Sequence, residues 1–217
     1  MVSFKKYNIL LFDFDCTLVD STQGIVMCFQ HVLQKHGYGR VTDEDIKRTI
    51  GKTLEESFTI LSSITDEAVL KKFRAEYVQQ ADICMTSHTC FFPEVATTLK
   101  ALKSQRMKLG IISTKYRYRI HEFVDTALGA DFFDVIVGGE DVHFPKPHPE
   151  GVLLALQQSR GEKRHCLYLG DSTVDAQTAM AAKVDFVGVL HGVTTREELE
   201  LYPHVGMTDN LEILLKD

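Results

Sequence analysis

Ile9-Leu10-Leu11-Phe12-Asp13-Phe14-Asp15-Cys16-Thr17-Leu18 is the stretch on which the fold turns. Four consecutive apolar residues read as a short strand buried on both faces, since a strand with one wet face would alternate instead. Asp13 stops the run. Side chains alternate along a strand, so Asp13 and Asp15 leave on the same face. Two carboxylates that close repel each other, and at a buried strand end this is costly unless a cation or a shared proton relieves it. Alone, such a pair more often marks a solvated acidic turn, so it needs company from elsewhere in the chain.

Working outward, apolar runs of strand length recur at Tyr7–Phe12, Leu109–Ile112, Phe132–Val137, Cys166–Leu169 and Phe186–Leu190. Helical periodicity fills most intervals, at Val95–Lys103, Arg119–Leu128, Glu150–Gln158 and Val174–Ala182. Strand alternating with helix predicts an α/β core, a parallel sheet covered on both faces. One interval breaks the rhythm: from about Ser21 to His88 the pattern is helical only, with apolar spacing in Ile25–Leu33, Leu54–Ile64 and Val69–Ile83. The expected organisation is therefore a catalytic core of residues 1–19 and 89–217 with an inserted all-helical cap of residues 20–88.

Ligands of open α/β sheets bind beyond the carboxyl ends of the strands, which directs attention to the polar residues there. After the fourth candidate strand comes Gly170-Asp171-Ser172-Thr173-Val174-Asp175. A second carboxylate tops a strand, and Asp175 follows one helical turn later. Asp13, Asp15 and Asp171 would make an oxygen-only site suited to Mg2+. After the second candidate strand, Ser113-Thr114-Lys115 offers hydroxyls and amides for phosphoryl oxygens. Lys146 stands in Pro145-Lys146-Pro147-His148-Pro149, where alternating prolines stiffen the backbone around a positive charge.

Composition supports a globular protein and narrows its partners. The 217 residues are 44% hydrophobic and 25% charged with a net charge of −6, and the basic residues are scattered. No electrostatic footprint for nucleic acid is present. The first apolar run is too short for a signal sequence or a membrane span, and five cysteines without a C-x-x-C pair fit reduced thiols, so a cytoplasmic protein is expected.

Asp13-x-Asp15-x-Thr17, Ser113, Lys146 and Gly170-Asp171-x-x-x-Asp175, in this order, resemble the haloacid dehalogenase superfamily, and the helical insert resembles the cap of its phosphoglycolate phosphatase-like members. The resemblance implies a Rossmann-like core and a Mg2+-dependent phosphatase acting on a small phosphorylated metabolite, a phosphoglycolate-like monoester. Asp13 would form an aspartyl phosphate and Asp15 would act as acid, then base. Thr17, Ser113, Thr114 and Lys146 would serve the substrate side, Asp171 the metal, and Asp175 would support the ligands from behind. Lys52, in the cap turn Gly51-Lys52-Thr53, would meet the leaving group's charge; Thr53 and Glu56 are spaced as a capping box. A sugar phosphomutase, a pyrophosphatase and a non-catalytic binding protein are the alternatives. Two departures stand out: Cys16 and Lys183 occupy positions where the family commonly has glycine.

Overall fold

The computed structural model describes residues 4–215. In chain order, β1 (Ile9–Phe12) and β2 (Val19–Asp20) precede four helices, α1 (Thr22–Lys35), α2 (Asp43–Lys47), α3 (Leu54–Ser62) and α4 (Glu67–Cys84). There follow β3 (Cys90–Phe91), α5 (Val95–Ser104), β4 (Lys108–Ile112), α6 (Arg117–Leu128), β5 (Val135–Val137) and α7 (Glu150–Gln158). The chain continues through β6 (Cys166–Gly170), α8 (Thr173–Ala182), β7 (Asp185–Val189), α9 (Arg196–Leu199) and β8 (Gly206–Thr208). By internal packing this forms two units, one made of the described residues up to Val19 and from Phe91 onward, the other Asp20–Cys90.

The first unit is an α/β sheet of six parallel strands in the order β5-β4-β1-β6-β7-β8. β1 explains the unbroken apolar run. Leu10 and Phe12 join a cluster with Val95, Leu99 and Ile120 on one face, while Ile9 and Leu11 join Val152, Tyr168 and Ala176 on the other. Each such side chain removed from water contributes roughly 1.5–3 kcal/mol, so neither face tolerates a polar residue before the strand tip. Register then sets the tips level: Phe12 lies opposite Ile111 of β4 and Leu169 of β6. The residues that follow these three, at the carboxyl end, are those the sequence singled out.

The strand limits differ from the apolar runs in physical detail. β5 starts at Val135 rather than Phe132, because Asp131 takes a left-handed conformation (φ 60°) and Phe132 and Phe133 pack edge to face before the strand begins. β8 is an edge strand with a single buried residue, Thr208, and so leaves no hydrophobic signature. Cys16 (φ 58°) and Lys183 (φ 59°) are both left-handed, which is the backbone reason glycine suits these positions. Each non-glycine residue there costs on the order of 1 kcal/mol.

The Asp20–Cys90 unit is helical and has its own core, in which Phe29 packs against Phe58 and Tyr77 with ring centroids 4.8 Å apart in both pairs. Helix starts are capped by Thr42, Thr53 and Asp66. At Thr53 the capping box is only half made: its hydroxyl accepts from Glu56 N–H, while the Glu56 carboxylate pairs with Lys52 Nζ at 3.0 Å. Gly51, with φ +95°, supplies the turn before Lys52. The chain enters and leaves this unit through a two-stranded ribbon of β2 and β3.

Candidate active site

Asp13 follows Phe12 directly, and its N–H donates to Leu169 O at 2.8 Å, so the carboxyl ends of β1 and β6 are tied at the level of the side chain that matters. Asp13, Asp171 and Asp175 each bring a carboxylate oxygen within 4.8 Å of the others, and all three residues are buried. Lys146 Nζ stands among them, 2.8 Å from Asp13 Oδ1 and 2.7 Å from Asp175 Oδ1, with only 4% of its side chain exposed. A buried ammonium between two buried carboxylates is tolerable only because each partner compensates the others.

Asp175 is held by both oxygens. Oδ1 accepts from Lys146 and from Tyr168 O–H (2.8 Å), and Oδ2 accepts from the backbone N–H of Ser172 (3.1 Å) and its hydroxyl (2.6 Å). Its own N–H donates back to Ser172 Oγ, closing a capping box that starts α8. The cap of that helix is therefore Ser172, which leaves Asp171 outside the cap. Asp171 Oδ1 accepts from the Thr17 hydroxyl at 3.0 Å. On the other side, Gly192 approaches so closely that an added Cβ would lie 2.0 Å from Asp171 Oδ2, a position no other residue could occupy without displacing the carboxylate.

Thr17, expected from the resemblance to serve substrate, is fully buried and commits its hydroxyl to Asp171, which makes it a support for that carboxylate. Asp15 stands apart from the three-carboxylate cluster; its Oδ1 pairs with Lys115 Nζ at 2.9 Å, with 8% and 12% of the lysine and aspartate side chains exposed. Its part in metal binding, expected from the strand spacing, thus lacks support from the side-chain position. Ser113 Oγ accepts from Lys115 N–H at 3.1 Å, which leaves its own O–H proton to donate elsewhere. Ser113 and Thr114 line a narrow cleft with Gly138, Gly139 and Lys146. Lys52 belongs to the helical unit.

Sequence reasoning left Lys115, Tyr168 and Gly192 without a role. Lys115 could have been found from strand order, since the loops after two neighbouring strands must meet at the sheet end. Tyr168 carried a signal too: a phenol in a strand buried on both faces needs a polar partner.

Burial pushes Asp13 up to about 7, with the Lys146 charge pulling down and Asp175 adding to the rise. Burial also raises Asp171 well above the usual carboxylate range, reinforced by Asp175 and Asp13 and opposed by the Thr17 hydrogen bond. For Lys146, burial alone would lower the value, but Asp13 and Asp175 hold it above the ordinary lysine range. The ionised cluster is thus short of positive charge. Fully ionised, Asp13, Asp15, Asp171 and Asp175 would carry four negative charges against the two of Lys115 and Lys146. The donor set is all oxygen and the deficit is two, which fits a hard divalent cation such as Mg2+ that Asp13 and Asp171 could hold.

Among the described residues, no helix is long and apolar enough to cross a membrane. A family model described as haloacid dehalogenase-like hydrolase matches residues 10–189. A curated relative, pyrophosphatase PpaX of Bacillus pumilus, is 31% identical over 192 residues, covering 88% of this chain and 87% of that protein. Among solved structures, a chain from Bacteroides fragilis described as a haloacid dehalogenase-like hydrolase is 53% identical with a TM-score of 0.94, covering 96% of this chain and 99% of that one. A Lactobacillus plantarum chain described as a phosphoglycolate phosphatase matches at a TM-score of 0.86 over 97% of this chain and 98% of its own, but at 23% identity it speaks to the fold alone.

Proposed function

The chain belongs to the haloacid dehalogenase-like hydrolase family, and on that premise we propose that it is a Mg2+-dependent phosphatase with Asp13 as nucleophile and Asp15 as general acid and base. The observation that carries this reading is the pairing at the strand tips. A buried carboxylate on β1 lies beside a buried ammonium and within 4.8 Å of a second carboxylate from the end of β6.

An Asp13 oxygen attacks phosphorus, the bond to the leaving oxygen breaks, and Asp15 gives that oxygen its proton. Asp15 then takes a proton from water, which attacks the aspartyl phosphate and frees Asp13 and inorganic phosphate. Lys146 and the Ser113 hydroxyl offer positive charge and a donor to the phosphoryl oxygens, where charge shifts most during transfer. A bound Mg2+ would supply further charge stabilisation at the same oxygens.

For the substrate, a small phosphorylated metabolite, two compounds come first. Kinship with a protein named pyrophosphatase supports pyrophosphate. The motif resemblance noted above supports a phosphoglycolate-like monoester. A screen of phosphate release across pyrophosphate, phosphoglycolate and other small monoesters decides between them, run without any bisphosphate activator so that a mutase is excluded. No release from any of them would overturn the phosphatase reading.

Metal dependence follows from the charge deficit. Chelation is expected to stop phosphate release, Mg2+ to restore it, and Ca2+ to restore it poorly because its looser shell misplaces the phosphoryl group. A second readout is independent of turnover. Because the folded protein raises Asp13 to about 7, its ionisation disfavours folding progressively as pH climbs from the ordinary carboxylate range through 7. A cation bound there relieves this cost, so Mg2+ should raise the melting temperature more at pH 8 than at pH 5. Equal shifts at both values would contradict the assignment of Asp13 as a ligand.

For the helical unit we propose a cap role in which Lys52 meets the charge of the leaving group. The reading comes from the motif resemblance; locally, Gly51 and the Thr53 cap fix the turn, and Glu56 pairs with the ammonium. Lys52→Ala should lower kcat/KM for pyrophosphate or phosphoglycolate about threefold, the worth of one exposed charge contact, and barely change p-nitrophenyl phosphate. Equal loss on both kinds of substrate would remove Lys52 from substrate selection.

A further inference from the structure

We propose that Lys115 is a positioning residue for proton transfer, holding the Asp15 carboxylate in one orientation for its acid step. This rests on the phosphatase reading above and adds a residue to it. Each of the two carboxylates after β1 has its own ammonium: Asp13 pairs with Lys146 and Asp15 with Lys115. Lys146 is shared with Asp175, whereas Lys115 comes from a different loop and is aimed at Asp15.

The loop that carries Lys115 is built to hold it still. Its N–H donates to Ser113 Oγ at 3.1 Å and its carbonyl accepts from Gly139 N–H at 3.0 Å, so the backbone is tied on both sides. Gly139 lies so near that a Cβ there would meet Thr114 O at 2.5 Å, and the loop after β5 therefore clamps the loop after β4. The Lys115 side chain is 8% exposed, so its ammonium does not sweep through solvent. A charge-assisted hydrogen bond of this kind fixes direction as well as energy.

The consequence for Asp15 is a restrained orientation. Oδ1 accepts from an ammonium at 2.9 Å, and that contact limits how far the carboxylate can turn. General acid catalysis depends on that geometry before anything else, and an ångström of misplacement is enough to lose most of its effect.

Phenyl phosphate and p-nitrophenyl phosphate test this, because they share charge and approximate shape while the phenyl leaving oxygen needs the proton far more. kcat/KM covers only the steps through phosphoryl transfer to Asp13, so it isolates leaving-group protonation from the later hydrolysis. Lys115→Met is expected to lower kcat/KM for phenyl phosphate about tenfold more than for p-nitrophenyl phosphate, with Lys115→Arg recovering most of the difference. In an Asp15→Asn background the same substitution should add little, since the two residues act as one unit. Equal loss on both esters, or full additivity with Asp15→Asn, would overturn the proposal, because a merely structural lysine would not discriminate between leaving groups. Should the methionine variant not fold, Lys115→Gln carries the same comparison. Wild-type protein that releases phosphate from these esters with Asp15→Asn fully active on both would instead sink the acid–base reading itself.

Discussion

Asp13→Asn is expected to abolish phosphate release while the protein remains folded. The amide keeps the shape of the carboxylate and can still accept from Lys146 through its oxygen, now at 2.8 Å from Asp13 Oδ1, so the strand tip has no reason to move. What it lacks is the oxygen nucleophile that bonds phosphorus. Removing a covalent nucleophile costs on the order of 10⁴-fold or more in kcat, and the residue left after that is background. Folding should even gain slightly, because burial disfavours the Asp13 charge and the amide that replaces it is neutral. The measurements are the initial rate of phosphate release, on protein freed of contaminating phosphatase, and the melting temperature. A rate within a hundredfold of wild type would remove Asp13 from the role of nucleophile.

Lys146→Met should do more damage to the fold than any other single change at the site. Methionine fills the space of the lysine stem but leaves Asp13 and Asp175 facing each other without the ammonium that separates them, in a region where Lys146 had 4% of its side chain exposed. Removing one partner from a buried charge network typically costs about 3–5 kcal/mol. For a chain of this size that corresponds to roughly 6–20 °C in melting temperature. Activity should vanish with it, since both the ion pair and the phosphoryl charge partner are gone. High Mg2+ should recover part of the stability, by restoring positive charge to the cluster, and none of the activity. A variant melting within two degrees of wild type would show that Asp13 and Asp175 do not depend on Lys146 for their burial.

The contrast between what the sequence showed and what it hid follows from the kind of order involved. β1, β4 and β6 were legible because a strand buried on both faces must be apolar throughout, and the carboxylate or hydroxyl after each is abrupt. β8 was not, because an edge strand of Gly206, Met207 and Thr208 draws its stability from pairing with β7 rather than from side chains of one character. α2 and α9 are a single turn or little more, too short for periodicity to register. At the site, the positions of Asp13, Asp15, Ser113, Lys146 and Asp171 could be read one strand end at a time. Their pairing could not. That Lys115 goes to Asp15, that Lys146 lies between Asp13 and Asp175, and that Thr17 serves Asp171 are facts of neighbouring loops, and a one-dimensional pattern has no term for them.

The ribbon of β2 and β3 has a consequence for how the molecule can be built and rebuilt. Because Val19–Asp20 and Cys90–Phe91 pair, the helical unit is inserted with its two ends side by side, and the core experiences it as a loop already closed. The entropy of closing a loop grows only with the logarithm of its length, so exchanging the whole insert for a short turn between Val19 and Phe91 changes that cost little. What remains is β1 joined through α5 to β4, an ordinary right-handed crossover of low sequence separation, whose chain would reach its neighbour sooner during folding than it does with the insert in place.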